Sequence, residues 1–297
     1  MFIIKNRKIF FTLSGLLVAV SLGAIIFLGL NLSIDFAGGT ILEIEYQEER
    51  PTGDNIREEL AELGLGSLLI QPSGEKGFIL RFRDVSVEEK ETLDELLTIN
   101  GQNPFTELRF SSIGPSIGRE LARRGLVAVI LVSLLIILFI AFVFRHVSHP
   151  ISSWKYGVVA VLTLVHDIII PVGVFSILGY LIGKEVDALF LTALLAILGL
   201  SVNDTIVIFD RIRENLRLRA KHDFEETVGL SLEQSFSRSI NTSLTTLIVL
   251  LSLYFLGGAT TRDFALVMSI GIALGTYSSL FLAAPLLVAW EASGHKK

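Results

Sequence analysis

The 297-residue sequence has no cysteine. That excludes disulfides, cysteine-ligated zinc, iron–sulfur clusters and thiol catalysis. Charge is scarce as well. Asp, Glu, Lys and Arg make up 19% of the chain, where a soluble domain carries about a quarter. The few charges are bunched, which leaves long runs with none. Disorder is excluded, because a chain with 51% apolar residues and a mean hydropathy of +0.64 has ample surface to bury.

A helix needs about 20 mostly apolar residues to cross a bilayer. Six runs meet that requirement: residues 9–30, 125–144, 156–183, 188–209, 238–261 and 264–290. The third is interrupted by His166 and Asp167, the fourth by Asp204. None alternates as a membrane barrel strand would, so the runs predict six transmembrane helices. The first follows Lys5, Arg7 and Lys8, as a signal peptide would. Its apolar stretch exceeds the usual ~7–15 residues, so it reads as a retained anchor.

The placement of Lys and Arg sets the orientation. With the N-terminus inside, the inner segments hold Lys5, Arg7 and Lys8; Arg145 and Lys155; Arg211, Arg213, Arg217, Arg219, Lys221 and Arg238; and Lys296 and Lys297. The two short outer loops hold only Lys184 and Arg262. Residues 1–8 and 291–297 are then cytoplasmic, and the large segment 31–124 is outside. Residues 31–122 carry 18 acidic and 8 basic side chains, a net of −10 against −5 for the whole chain. An acidic exterior and a basic interior face fit a multi-pass protein of a bacterial inner membrane, with segment 31–124 in the periplasm.

Within that segment, residues 40–46 alternate as a strand. A helix follows from Thr52 and carries Ile56, Leu60 and Leu63 on one face; Gly64 and Gly66 stop it. Residues 67–71 and 78–83 read as strands around a turn at Pro72-Ser-Gly74. Ser86 and Glu89 form a capping-box signature before a helix bearing Leu93, Leu96 and Leu97. Residues 105–110 close the set as a strand. The order β-α-β-β-α-β predicts an α+β, ferredoxin-like domain between the first two transmembrane helices. It holds no histidine and no nucleophile beside a base, so it reads as a binding or docking unit and not as an enzyme.

The charged groups inside the spans matter most, because each costs at least ~2.5–3.5 kcal/mol to insert. Asp204 precedes Arg211 by seven residues, about 10 Å inside the cytoplasmic face. Thr192, Ala196, Gly199 and Asn203 form a small, polar helical stripe that Asp204 borders; such a stripe permits close helix packing, so Asp204 is expected to face the bundle interior. Asp204 is either a structural carboxylate or a site that gains and loses a proton. His166 and Asp167 lie at a comparable depth. They extend such a path or simply pair two helices. Arg238 opens a polar face continued by Ser239, Thr242, Ser243 and Thr246; it either snorkels to the interface or provides the counter-charge of Asp204. Gly15, Ala19 and Gly23, and likewise Gly271, Gly275, Ser279 and Ala283, recur every four residues as small faces for close helix packing, within the chain or with a partner. In segment 210–237, Phe224, Val228, Leu232 and Phe236 recur every four residues and predict a short amphipathic helix on the cytoplasmic membrane surface. Its arginines need no nucleic acid, since the positive-inside bias accounts for them.

Four stretches carry a family resemblance. Residues 34–40 (IDFAGGT) and 114–118 (GPSIG) resemble segments that open and close the periplasmic domain of the SecF family of protein-export membrane proteins. Residues 201–215 (SVNDTIVIFDRIREN) resemble its fourth-span signature, and residues 238–246 (RSINTSLTT) its fifth. The six-span plan matches over essentially the whole length. The resemblance implies pairing with SecD in a twelve-span unit of the resistance-nodulation-division superfamily. It also implies work beside the SecYEG channel and the SecA ATPase, with YajC as a further partner and an unfolded exported polypeptide as cargo. The coupling ion would be a proton, or sodium in some relatives, and no other cofactor or metal is implied. The family's intramembrane aspartate maps onto Asp204 and its fifth-span arginine onto Arg238; Asn203, Asp167 and His166 are lesser candidates.

Rival readings stay open at this point. The chain could be half of a superfamily transporter for an apolar small molecule, or a passive scaffold for SecD. An intramembrane aspartyl protease using Asp167 and Asp204 is a third reading, though Asp204 follows Ser-Val-Asn where such enzymes resemble Gly-x-Gly-Asp.

Overall fold

A computed structural model describes residues 2–99, 103–143, 152–218 and 223–294. The chain divides into a helical unit, residues 1–31 and 127–297, and a small unit, residues 32–126. Arg145, Arg219, Lys221, Lys296 and Lys297, which carry part of the charge bias, lie outside the described residues.

The small unit opens with a short helix α3 (Ile34–Ala37), capped by the Ser33 hydroxyl, which accepts from the Asp35 N–H at 3.2 Å. Strand β1 (Gly39–Tyr46) follows, then α4 (Gly53–Glu59), β2 (Leu69–Ser73), β3 (Gly77–Phe82), α5 (Val87–Leu97) and β4 (Phe105–Ile113). The sheet order is β2-β3-β1-β4, every pair antiparallel. Alternation on β1 and β3 sends Leu42, Ile44, Tyr46, Phe78, Leu80 and Phe82 to one face, where Ile56 of α4, its C-cap Leu60, and Leu93 and Leu97 of α5 cover them. The Tyr46 hydroxyl donates to the Leu97 carbonyl at 3.0 Å, and burial pushes its pKa up to about 12. Ser86 and Glu89 cap α5 reciprocally. One difference from the sequence reading is that β2 runs through Pro72 and Ser73, and the turn falls at Gly74–Lys76. Proline is admitted there because β2 is an edge strand and needs no outward N–H.

The motifs that open and close this unit interlock. Gly38 has φ +80°, and a β-carbon there would lie 2.6 Å from Pro115 Cα; one at Gly118 would lie 2.9 Å from the Gly38 nitrogen and the Phe36 oxygen. Thr40 and Ser112 join their hydroxyls at 2.8 Å across the same corner.

In the helical unit, α1 (Phe2–Lys5) precedes α2 (Arg7–Leu28). The chain returns through α6 (Pro115–Val143), α7 (Ser153–Ile182), α8 (Ala188–Leu218), α9 (Phe224–Leu256) and α10 (Ala259–Ser278). A five-residue π turn, Ser279–Ala283, then leads into α11 (Ala284–Gly294). Among the described residues, six helices are long and apolar enough to cross a membrane. The third and sixth are mostly buried within the chain, whereas the second is 6% buried and faces outward almost throughout. The π turn has a local cause. Pro285 lacks an N–H and its ring crowds the carbonyl four residues back, so the helix widens just before it.

Segment 210–237 differs from the expected surface helix. Residues 210–218 continue α8, and α9 runs unbroken from Phe224. Phe224, Val228 and Leu232 are buried in the helical core with Ile4, Ile212 and Val288. Asn215 Nδ2 donates to Ser231 Oγ and Gln234 Oε1, each at 2.9 Å, and Arg7 pairs with Glu225 at 3.2 Å. An apolar row at four-residue spacing fits lipid and protein equally; here protein covers its first three members, while Phe236 stays exposed.

Candidate ion-coupling site

Helix α8 brings two different chemistries to neighbouring positions. Its buried face carries Ala193, Ile197, Ser201 and Thr205. The small face of α10 lies against it. A β-carbon at Gly271 would overlap the Ile197 side chain, one at Gly275 would lie 3.1 Å from Ser201 Cβ, and Ser279 Oγ meets Thr205 Oγ1 at 2.9 Å. The two glycines leave a cleft of ≈20 Å³ between the helices, lined also by Leu200, Thr276 and Asp204. That volume admits about one water molecule. Asp204 is half-buried at its edge.

Arg238 on α9 is exposed. Its charge acts on Asp204 electrostatically, yet among the described residues the two form no direct ion pair. The expected inward packing of the stripe is not what the structure has: Asn203, Thr192 and Gly199 are exposed, so the stripe turns away from this chain's own interior and leaves Asp204 only half-buried at its border. Asn241, Thr242 and Thr245 on α9 are exposed too. A polar band thus remains uncovered on α8 and α9, two of the helices long and apolar enough to cross a membrane.

Asp167 is in the opposite situation. It is fully buried. Its Oδ1 lies 2.8 Å from His166 Nδ1, and its Oδ2 accepts from Ser278 at 2.7 Å and from Ser201. The carboxylate therefore ties α7 to α8 and to the end of α10. His166 stacks on Tyr277, ring centroids 6.1 Å apart. Tyr277 donates to the Phe10 carbonyl at 3.2 Å and meets Ser14 Oγ at 3.2 Å on α2. Ser201 and Ser278 were not singled out as site residues from sequence. Ser201 stands inside the 201–215 signature, but nothing local announces that it reaches a residue 34 positions away.

The small stripes divide. Gly271, Gly275 and Ser279 lie in the α8–α10 contact. Gly15 and Ala19 are exposed and Gly23 half-buried, and nothing lies within 4 Å of a β-carbon at either glycine. The in-chain packing face of α2 is instead Ser14, Ser21 and Ala24. The reason is a glycine on the partner helix: a β-carbon at Gly173 of α7 would overlap Ser21, and Ser176 Oγ donates to the Ala24 carbonyl at 2.9 Å.

Residues 94–293 match the family described as protein export membrane protein SecD/SecF, C-terminal, and residues 23–49 match the SecD/SecF GG motif, which contains Gly38 and Gly39. The chain is 43% identical to the protein translocase subunit SecF of Thermobaculum terrenum, over 97% of this chain and 93% of that one. It is 38% identical to the protein translocase subunit SecDF of Thermus thermophilus, over 93% of this chain and 36% of that one. The crystal structure of SecDF from Thermus thermophilus, a translocon-associated membrane protein, superposes with a TM-score of 0.82 at 35% identity, covering 97% of this chain and 38% of the other.

Proposed function

Because the chain belongs to the SecD/SecF family of protein-export membrane proteins, we propose that it is the SecF half of a SecD–SecF assembly that uses an ion gradient to help translocate exported polypeptides. Its relatives are protein translocase subunits, some of them SecDF chains more than twice its length. The observation that carries the reading is the uncovered polar band of Asn203, Asp204, Arg238, Asn241 and Thr242. Lipid cannot satisfy such groups, whereas a second helical half can. Asp204 then sits at the junction of the two halves, beside a cleft wide enough for one water.

The mechanism follows from charge. One elementary charge moving through the membrane potential releases about 2.3 kcal/mol per 100 mV. A proton (or sodium ion) reaching Asp204 cancels its attraction to Arg238 and favours a different packing of α8 against α9 and α10. Packed helices switch between discrete arrangements, which can carry the change to the small unit. We read that unit as a ferredoxin-like periplasmic docking module that hinders backward sliding of the exported chain. Both termini are cytoplasmic in this reading, the membrane is the bacterial inner membrane, and SecYEG with SecA, and YajC, are neighbours. We read the chain as non-enzymatic: two hydroxyl donors and an imidazole nitrogen already engage the Asp167 carboxylate, which leaves little capacity to activate a hydrolytic water.

The test is preprotein export in cells depleted of native SecF and complemented with this chain and its cognate SecD. Wild type and Asp204→Asn are compared at matched membrane level and matched SecD co-purification. Stalled export with intact assembly is the expected result. Normal export would leave the chain a passive scaffold for SecD and remove the coupling role. Substrate-dependent efflux of an apolar compound would point to a small-molecule transporter half instead.

A further inference from the structure

The His166–Asp167 pair lies beyond the uncovered band and has no part in the coupling scheme above. We infer that it is a second proton-binding site of this chain, linked to Asp204 through the Ser201 hydroxyl. The site itself stands on geometry alone; only its link to Asp204 rests on the coupling reading.

Asp167 Oδ2 faces two hydroxyls, Ser201 and Ser278, and a carboxylate oxygen that faces two hydroxyl donors acts as an acceptor. Oδ1 faces an imidazole nitrogen. With the imidazole nitrogen donating, both oxygens accept and the group is an ionised carboxylate. Buried negative charge needs a counter-charge, and among the described residues no Lys or Arg pairs with Asp167; its one ionic partner is His166, at 2.8 Å. The charge balances only if the pair holds one proton more than a neutral imidazole beside an ionised carboxylate. That proton sits on the ring, giving imidazolium and carboxylate. If it crosses the 2.8 Å hydrogen bond, it gives neutral imidazole and carboxylic acid. Either way one proton is bound and the site is electroneutral. His166 is 3% exposed, and among the described residues its Nε2 has no hydrogen-bond partner, so that nitrogen is open to bind or release the proton. The titratable groups facing the pair are Tyr277 from α10 and, beyond Ser201, Asp204 from α8. Helix α2 reaches Tyr277 with the uncharged Ser14 and the Phe10 carbonyl.

Two features let the site change its contacts. Ser278 has one hydroxyl proton and two acceptors, Asp167 Oδ2 at 2.7 Å and the Gly275 carbonyl at 3.1 Å, so it can leave the carboxylate without losing its hydrogen bond. Two of the three helices that meet at the carboxylate are also irregular nearby, α7 through an internal proline and α10 through the π turn that follows it. Pro171 stands four residues after Asp167 inside α7 and cannot donate to the Asp167 carbonyl, and Ser278 immediately precedes the π turn. Ser201 carries the link. It donates to Asp167 and lines the cleft of Asp204, one helical turn further along α8. A shift of α8 that repositions Asp204 must move the Ser201 hydroxyl relative to Asp167.

The test is solid-state NMR of the full chain in lipid bilayers at neutral pH, reading the protonation of the His166 ring nitrogens. His166 is the one histidine of the five preceded by valine, so labelling valine carbonyls and histidine nitrogens selects it without a substitution. A doubly protonated ring is expected, or a neutral ring together with a protonated carboxyl infrared band that Asp167→Asn abolishes. Ser201→Ala, which removes a donor from the carboxylate, is expected to move the population from imidazolium toward the neutral ring. A neutral ring with no such carboxyl band overturns the site. His166 signals unmoved by both Ser201→Ala and Asp204→Asn overturn the link. Neither readout involves export, so failure here and failure of the export assay are separate results.

Discussion

A β-carbon on Gly118 would lie 2.9 Å from the backbone nitrogen of Gly38. The residue that ends α3 and the first turn of α6, eighty residues apart in sequence, thus meet backbone to backbone, which only glycine permits. Gly118→Ala forces a main-chain shift rather than a side-chain one, and overpacking of this kind costs about 1–3 kcal/mol. Gly114→Ala provides the control, since its nearest atom would be Asp84 Oδ2 at an ordinary 3.9 Å. Thermal unfolding of the small unit within the full chain, followed by protease resistance, should show a loss for Gly118→Ala and little change for Gly114→Ala. Equal resistance in both variants would remove the packing argument.

A second contrast separates two glycines that look alike in sequence. Gly15 meets nothing within 4 Å, whereas a β-carbon on Gly173 would overlap Ser21. Gly173→Ala should therefore separate α2 from α7 and lower the melting temperature of the detergent-solubilised chain. Gly15→Ala should not lower it. A larger loss for Gly15→Ala would show that α2 packs through its Gly15/Ala19/Gly23 face.

These outcomes bear on how far the residues alone could be read. The six spans were legible because length and apolarity suffice, and no register has to be known. The α5 cap was legible because Ser86 and Glu89 are three residues apart and satisfy each other locally. Tertiary choices were not. A small-residue row only permits close packing; which row is used depends on the facing helix, and Gly173 selects Ser21. Phe224, Val228 and Leu232 showed the right periodicity but not whether lipid or protein would cover them. At the candidate site, Asp167 was visible as an intramembrane charge, but its partners Ser201 and Ser278 come from two other helices, and hydroxyls are common in membrane helices.

The cap of α5 also predicts an acid response. Hydrogen bonds from Arg83 and the Ser86 N–H hold the Glu89 carboxyl down at about 2, below its ordinary 4.5. A depressed folded value means that the contribution is fully present above pH 4.5 and is lost as pH falls through about 2. Glu89→Gln keeps a side-chain acceptor for the cap but removes the charge. Acid unfolding of the small unit, followed by circular dichroism, should be less steep between these limits in Glu89→Gln than in wild type. Superimposable acid profiles would mean that the Arg83–Glu89 pair contributes nothing in solution, as many exposed pairs do.

The last prediction concerns whether Asp204 and Arg238 act as one unit. Arg238 is exposed and does not touch the carboxylate directly, yet its charge is felt there. If the bundle responds to the presence or absence of that attraction, either single change removes the same signal. Asp204→Asn and Arg238→Gln should each stall export, and the double variant should be no worse than either, because groups that work together are strongly non-additive. If Arg238 merely reaches for the membrane surface, Arg238→Gln should leave export near wild type while Asp204→Asn still abolishes it. If both residues matter for separate reasons, the losses should multiply in the double variant. Export rates for all four proteins, at equal membrane level and equal SecD co-purification, distinguish the three cases. Only strict non-additivity is compatible with a charge pair that an arriving ion switches off.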